Sequence, residues 1–293
     1  MSFLIFGQKI QIKKSGCNQS DIPGHEIPPS VNLFVKVTKS CNAKCLFCSN
    51  ANTKSNGNFN QLKLFTVVQE IIAQGIIVNR INITGGEPSL VPDLVQSILD
   101  ECSKDVYQNI HLHLNTNGLF PQSQDLMKHP RWDSISMSLH HYNINKLSEL
   151  YGVSVPETAF AFEGIDMAKV NVSCNLIKGY IDCAEEAHKI LDFTLDLGMP
   201  RIGFVALMKV NDYCLNHYVD FEDIGLNTIP HVYFTKSMDR GNDCKCSNYL
   251  YNKKLKILEI YTRNYMNPLY CESSLVYDGD YLRQGFHENN IIY

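Results

Sequence analysis

Three cysteines fall within eight residues, in the run Cys41-Asn-Ala-Lys-Cys45-Leu-Phe-Cys48. Gaps of three and two residues let three thiolates converge on one inorganic centre, and thiolates are the ligands that hold iron–sulfur clusters. A cluster usually takes four cysteines, and a zinc knuckle takes a fourth His or Cys close by. Neither residue type occurs in the twenty positions that follow. Three ligands leave one metal position open to a small molecule, as in a catalytic site rather than a structural one. A zinc site is the competing reading. A second, looser group lies downstream: Cys244-Lys-Cys246 and Cys271, with Cys214 as a possible fourth ligand. The chain holds eleven cysteines, an odd number, which directs attention to metal ligation before disulfides.

The elements that would position these thiols can be read from periodicity. Residues 1–30 read as a short ribbon or arm, with Ile10 and Ile12 alternating against Lys9, Gln11 and Lys13. Residues 31–208 alternate short β-branched runs (31–38, 80–84, 110–115, 133–139, 170–177 and 201–208) with helix-length segments (61–74, 91–104, 122–129, 156–168 and 183–197). In the first of these helices Leu62, Phe65, Val68 and Ile71, with Ile72 beside them, form the apolar stripe. Six βα units predict parallel strands joined by right-handed crossovers, too few for a closed eight-fold barrel. Five strands alternate apolar and polar residues, whereas parallel strands covered on both faces usually read as continuous apolar runs. One strand face is therefore expected to meet the helices. The polar face carries Lys36, His111, His113 and His140, candidates for binding or polarising a polar substrate. This fits the lumen of a partial (β/α)6 TIM-type barrel, an α/β fold, better than a doubly wound sheet. Residues 209–293 then form a short C-terminal hairpin and helix extension. Within it 251–262 reads as one strand of a hairpin, and 273–284 as a hairpin turning at Asp278-Gly279.

The cysteine run resembles the CxxxCxxC motif of radical S-adenosylmethionine (radical SAM) enzymes, including the aromatic Phe47 before the third cysteine. The resemblance covers roughly residues 31–208. Gly85-Gly86-Glu87-Pro88 after the second strand is similar to the motif that binds the methionine amino group, where glycine permits close backbone approach. Thr116 and Asn117 end strand three as a TNG sequence does beside the methionine moiety. Ser138 at the end of strand four resembles the ribose-contacting residue, with Ser136 and His140 on the same face. Asn175 and Ile177 fall in a degenerate form of the strand-five motif, with Asn for its first Gly and Asp182 for its Glu. Leu207 and Met208 lie where the family holds adenine. The resemblance implies a [4Fe–4S] cluster on Cys41, Cys45 and Cys48. It also implies reductive cleavage of S-adenosylmethionine, driven by a reductant such as flavodoxin or ferredoxin. The 5′-deoxyadenosyl radical so formed would abstract hydrogen from a small molecule or a peptide side chain, leading to dehydrogenation, epimerisation or crosslinking. Cysteines around hairpins after the barrel resemble the twitch and SPASM regions, which implies a second [4Fe–4S] cluster on Cys244, Cys246 and Cys271. SPASM would place a cysteine after the turn, where this chain has Gln284 and Gly285.

Two other functions compete. One is a viperin-like nucleotide dehydratase, on the similarity of residues 27–48 to the viperin entry into the barrel. The other is a non-catalytic iron–sulfur or zinc protein, against which the placement of 85–87 and 115–118 speaks. The formal charge of −4 argues against a nucleic-acid polymer as partner. The N-terminal run has its apolar residues before its lysines and no small-residue cleavage site, and no apolar run approaches the roughly 18–20 residues of a membrane span. A soluble cytoplasmic protein with no membrane partner is expected, in which thiols stay reduced.

Overall fold

The computed structural model describes residues 2–12, 28–50, 59–238, 245–264, 274–285 and 291–293. In chain order the strands are β1 (Ser2–Ile5), β2 (Gln8–Gln11), β3 (Ser30–Thr38), β4 (Ile77–Gly85), β5 (His111–Thr116), β6 (Ser134–Ser138), β7 (Val170–Leu176), β8 (Arg201–Ala206), β9 (Val232–Ser237), β10 (Ser247–Lys253), β11 (Lys256–Arg263), β12 (Ser274–Tyr277) and β13 (Leu282–Gln284). The helices are α1 (Gln61–Ala73), α2 (Pro92–Cys102), α3 (Pro121–Met127), α4 (Ile144–Tyr151), α5 (Ala184–Asp196), α6 (Asp212–Asn216) and α7 (Phe221–Ile224). β3 to β8 are the six strands expected from the sequence. Among the described residues no helix is long and apolar enough to cross a membrane.

The residues group into two compact units. The first comprises Met1–Cys41, Asn52–Asn115 and Pro268–Tyr293. β1 and β2 form an antiparallel hairpin, turned by Phe6 and Gly7 at φ 48° and 77°, the left-handed pair a two-residue hairpin turn requires. In the sheet, β3 pairs in parallel with β4, and β4 with β5. On the other side β12 joins β3 in parallel and β13 closes an antiparallel hairpin on β12, as expected for 273–284. The period-two alternation is borne out: Val31, Leu33, Val35, Ile81, Ile83, Leu112 and Leu114 are all buried. Each such side chain contributes about 1.5–3 kcal/mol on burial. α1 lies where expected, but its stripe is shifted. Leu64, Phe65, Val67, Val68 and Ile71 are buried, whereas Leu62 is 83% and Ile72 37% exposed. The helix begins at the cap Asn60, whose side chain accepts the Lys63 N–H, and with Leu64, Phe65, Val67, Val68 and Ile71 on the buried face Leu62 lies outside it.

The second unit comprises Asn42–Ala51 and Thr116–Asn267. β6, β7 and β8 are parallel neighbours, and Ile135, Met137, Val172, Cys174, Ile202 and Phe204 fill the buried face. The helix expected over 156–168 is not there. Two 3-10 turns occupy Glu157–Phe160 and Met167–Lys169, and the helix is α4, upstream. Asn143 caps its start through Asn145 and Lys146 N–H groups, and Gly152 ends it at φ 62°. Both signals favour 144–151, whereas Pro156 and Gly164 break the downstream segment. The segment 251–262 is also corrected: it spans the end of β10, a turn at Lys254 and Leu255 with φ 51° and 64°, and most of β11, so it belongs to two strands of a hairpin. β11 pairs in parallel with β8, so the hairpin extends the sheet. Tyr251 secures it to α5 by donating to Asp192 at 2.5 Å, and Lys253 meets the same carboxylate at 2.6 Å.

Candidate functional site

In the second unit the cysteine loop is fixed at four points. The Asn42 side-chain oxygen accepts a hydrogen bond from Asn117 Nδ2 at 2.7 Å. Lys44 N–H donates to the Tyr151 carbonyl at 2.7 Å, and the Leu46 carbonyl accepts from Asn211 Nδ2 at 2.9 Å. Phe47 buries its ring among Leu150, Ile177, Leu207 and Cys214. Cys48 N–H donates to the Cys45 carbonyl, which curls the loop into a turn. Cys45, between these anchors, and Cys48, just after them, are half-buried. The donor set fits a thiophilic cluster: three cysteines share one short loop whose backbone is ordered by groups other than their thiols. Among the described residues no three His, Cys, Asp or Glu side chains already stand as a cage for a metal ion.

Around this loop the sequence-predicted residues of the second unit are tied into one scaffold. Thr116 and Asn117 are buried; Thr116 Oγ1 accepts the Gly118 N–H, and Asn117 also accepts from Ser123 Oγ at 3.0 Å. Ser138 is half-buried at the end of β6, and its carbonyl accepts from the Tyr151 hydroxyl at 2.5 Å. His140 is buried, with its ring edge-on to Phe47 at 4.9 Å and stacked with Tyr151 at 5.7 Å. Its Nδ1 accepts the Asn175 N–H at 3.1 Å, which puts the ring proton on Nε2. Desolvation lowers its pKa to about 3, so the ring is neutral at pH 7. Ile177 and Leu207 line the cluster around Phe47, and Met208 follows half-buried. Sequence reasoning missed Asn42, Tyr151 and Asn211. Only Asn42 carried a signal, its place beside Cys41.

In the first unit Gly85, Gly86 and Glu87 run alongside the end of β3. Gly86 N–H donates to the Thr38 carbonyl at 2.7 Å and Glu87 N–H to the Ser40 carbonyl at 2.8 Å. A Cβ on Gly86 would stand 2.1 Å from the Ser40 oxygen, and one on Gly85 2.3 Å from the Thr38 oxygen. Glycine is thus required for the approach, which draws 85–87 against the residues just before the exposed Cys41. The Glu87 carboxylate is buried and accepts the Ser89 N–H at 3.1 Å. On the polar face of the sheet Lys36 and His111 are half-buried and His113 is buried, the two imidazoles stacked at 6.5 Å. Burial, then the charges of Arg80 and His111, lower the His113 pKa to about 3, against a hydrogen bond to Asn115.

Of the C-terminal cysteines, Cys244 and Cys271 lie outside the described residues. Cys246 is buried and accepts the Asn264 N–H at 3.2 Å. Cys214 is buried on α6 in the cluster around Phe47, its thiol 3.8 Å from the Phe47 carbonyl. Desolvation pushes its pKa up. Cys102 and Cys174 are buried, and Cys183 is exposed.

The profile of the Radical SAM superfamily matches residues 35–193. A Saccharolobus solfataricus protein named "Probable GTP 3',8-cyclase" is 27% identical over 187 residues, which cover 62% of this chain and 58% of that protein. A Sulfolobus acidocaldarius protein of the same name is 23% identical over 262 residues, 86% of this chain and 77% of the relative. The chain thus spans less than two thirds of the length of the first of these curated relatives. Among solved structures, a radical SAM methyltransferase from Sphaerobacter thermophilus aligns with TM-score 0.51 at 18% identity, covering 65% of this chain and 60% of its own. Streptococcus suis SuiB bound to S-adenosylmethionine aligns with TM-score 0.50 at 18% identity, covering 63% and 42%. These likenesses show the fold, the α/β partial barrel expected from the sequence.

Proposed function

We propose that this chain, which belongs to the radical SAM superfamily, reductively cleaves S-adenosylmethionine and directs the resulting radical at a polar small molecule or a peptide side chain. The observation that supports the reading is the anchored loop: it carries three cysteines at this spacing and orders its backbone through Asn117, Tyr151, Asn211 and the buried Phe47. Cys41, Cys45 and Cys48 would hold the [4Fe–4S] cluster, with one position left open. When bound, the cluster and S-adenosylmethionine supply one-electron cleavage of the S–C5′ bond and a 5′-deoxyadenosyl radical that abstracts hydrogen. The chain's own residues bind, orient and exclude water. Gly85, Gly86 and Glu87 would take the methionine amino group, with Thr116 and Asn117 beside the methionine. Ser138 would meet the ribose, and Asn175, Ile177, Leu207 and Met208 the adenosine. Lys36, His111, His113 and His140 would face the substrate.

Functionally, residues 31–208 would form the radical-generating barrel, preceded by the arm 1–30 and followed by a twitch-like region over 209–293. There Cys244, Cys246 and Cys271 would hold a second [4Fe–4S] cluster. Burial of Cys214 against Phe47 supports packing for that residue more than ligation. A second reading, a nucleotide substrate, is favoured by relatives whose name is a GTP reaction. The test is anaerobic reconstitution, an iron count, and assay of 5′-deoxyadenosine with dithionite. Production of 5′-deoxyadenosine is expected, and a fully loaded protein that leaves S-adenosylmethionine intact would refute the reading.

A further inference from the structure

The polar face of β3, β4 and β5 is organised in register rows. Asn32, Arg80 and His111 share one row, Phe34, Asn82 and His113 the next, and Lys36 and Thr84 the row nearer the strands' C-terminal ends. Neighbouring strands lie about 4.8 Å apart, so members of a row are adjacent. Residues 31–38, 80–85 and 111–116 contain no Asp or Glu, while this face carries Lys36, Arg80 and two histidines. Asn82 is 3% exposed, and among the described residues its Nδ2 has no hydrogen-bond partner. Its flanking residues Ile81 and Ile83 are fully buried on the opposite face, so its own side chain is on the polar one.

A buried amide donor without an acceptor is costly and uncommon, and a leucine of similar size would pack there without that cost. His113, beside it in the row, is uncharged at pH 7 and hydrogen-bonded to Asn115. The unspent donor therefore points to a ligand that brings the acceptor. We propose that the Asn82 carboxamide donates a hydrogen bond to an anionic oxygen of the substrate, a phosphate or carboxylate, with Lys36 one row away supplying the favourable charge. The assignment rests on the reading that this sheet face receives the substrate.

Anion binding is measured by thermal shift and calorimetry on the anaerobically reconstituted full chain, without S-adenosylmethionine, using sodium triphosphate, GTP and citrate as probes. A phosphate ligand is indicated by binding of triphosphate and GTP but not citrate, and a carboxylate ligand by the reverse. Asn82→Leu is expected to weaken the responding anion about tenfold to a hundredfold, the scale of one hydrogen bond to a charged group. Its ligand-free melting temperature should equal or exceed that of the wild type. Wild type that binds none of the three probes overturns the proposal, as does a variant with undiminished affinity. Asn82→Val carries the same test should the leucine variant not fold. Failure of both to fold assigns Asn82 a structural role and also overturns it. Because binding is read without the reaction, loss of S-adenosylmethionine cleavage in wild type would bear on the proposed function alone.

Discussion

Asn117→Ala would untie the cysteine loop without touching a cysteine. Asn117 Nδ2 donates to Asn42 Oδ1 at 2.7 Å, and its Oδ1 accepts from Ser123 Oγ at 3.0 Å. Ser123 is fully buried and Asn117 only 7% exposed, so water does not readily replace the bond between them, while Asn42 is half-buried. Removing one partner of a buried hydrogen bond costs about 1–3 kcal/mol, which gives roughly 2–6 kcal/mol for the pair. Unfolding entropy for a chain of this length is on the order of 0.6 kcal/mol per kelvin, so the melting temperature should fall about 3–10 °C. Losing the tether at Asn42 should also reduce the ordered loop population by about tenfold per 1.4 kcal/mol lost. The assay is anaerobic reconstitution of wild type, Asn117→Ala and Ser123→Ala, followed by iron per chain and the rate of 5′-deoxyadenosine formation. Ser123→Ala removes only the second bond and should lose stability while keeping iron. Wild-type iron and rate in Asn117→Ala would refute the anchoring role. Equal iron loss in both variants would show that the Asn42 bond is not the one that matters.

Gly86→Ala should cost about 3 kcal/mol or more, because the added Cβ meets backbone oxygens of Ser40 and Lys39 at 2.1 and 2.6 Å; an unchanged melting temperature would contradict this. Alanine at Cys45 or Cys48 should abolish 5′-deoxyadenosine formation, checked with the iron count, and retained activity would remove the loop from the reaction. Cys246→Ala should lower the count from about eight to about four irons per chain if the C-terminal cysteines hold a cluster; a wild-type count near four would leave them without that role. His113 and His140 both titrate near 3 in the folded chain, below the ordinary 6.5. The unfolded state therefore binds more protons as pH falls below 6.5, and stability is lost down to about pH 3. The slope is at most about 1.4 kcal/mol per pH unit for each ring. His140→Asn should flatten the denaturation midpoint against pH between 4 and 6, and an unchanged slope would exclude His140 as its source.

The residues that carry chemistry were legible because their signal is local. The cysteine spacing, the paired glycines and the period-two strands each sit within ten residues. Sequence and structure differ where a local signal is overridden or missing. The hairpin of β10 and β11 turns on Lys254 and Leu255 at positive φ with no glycine to mark it, so 251–262 read as one strand. In α1 the expected stripe holds at Phe65, Val68 and Ile71 but not at Leu62 and Ile72, which are apolar yet exposed, because Leu64 and Val67 complete the buried face instead.

The site's support was illegible for a different reason. The loop's partners are distant in sequence: Asn117 is 75 residues from Asn42, and Asn211 is 165 from Leu46. Nothing in the type of either asparagine distinguishes it from a surface residue until burial and pairing are known. Asn82 is the extreme case. Its place in an alternating strand predicts only which face it occupies, while its chemical meaning lies in a donor that finds no acceptor within the described chain. A motif can thus mark where a reaction is generated, because a cluster and its cofactor demand fixed ligand types at fixed spacing. The substrate imposes no such spacing on a single strand. It is recorded instead in polar groups contributed by several strands, and one sign of it is a buried group whose hydrogen bond the described residues do not complete.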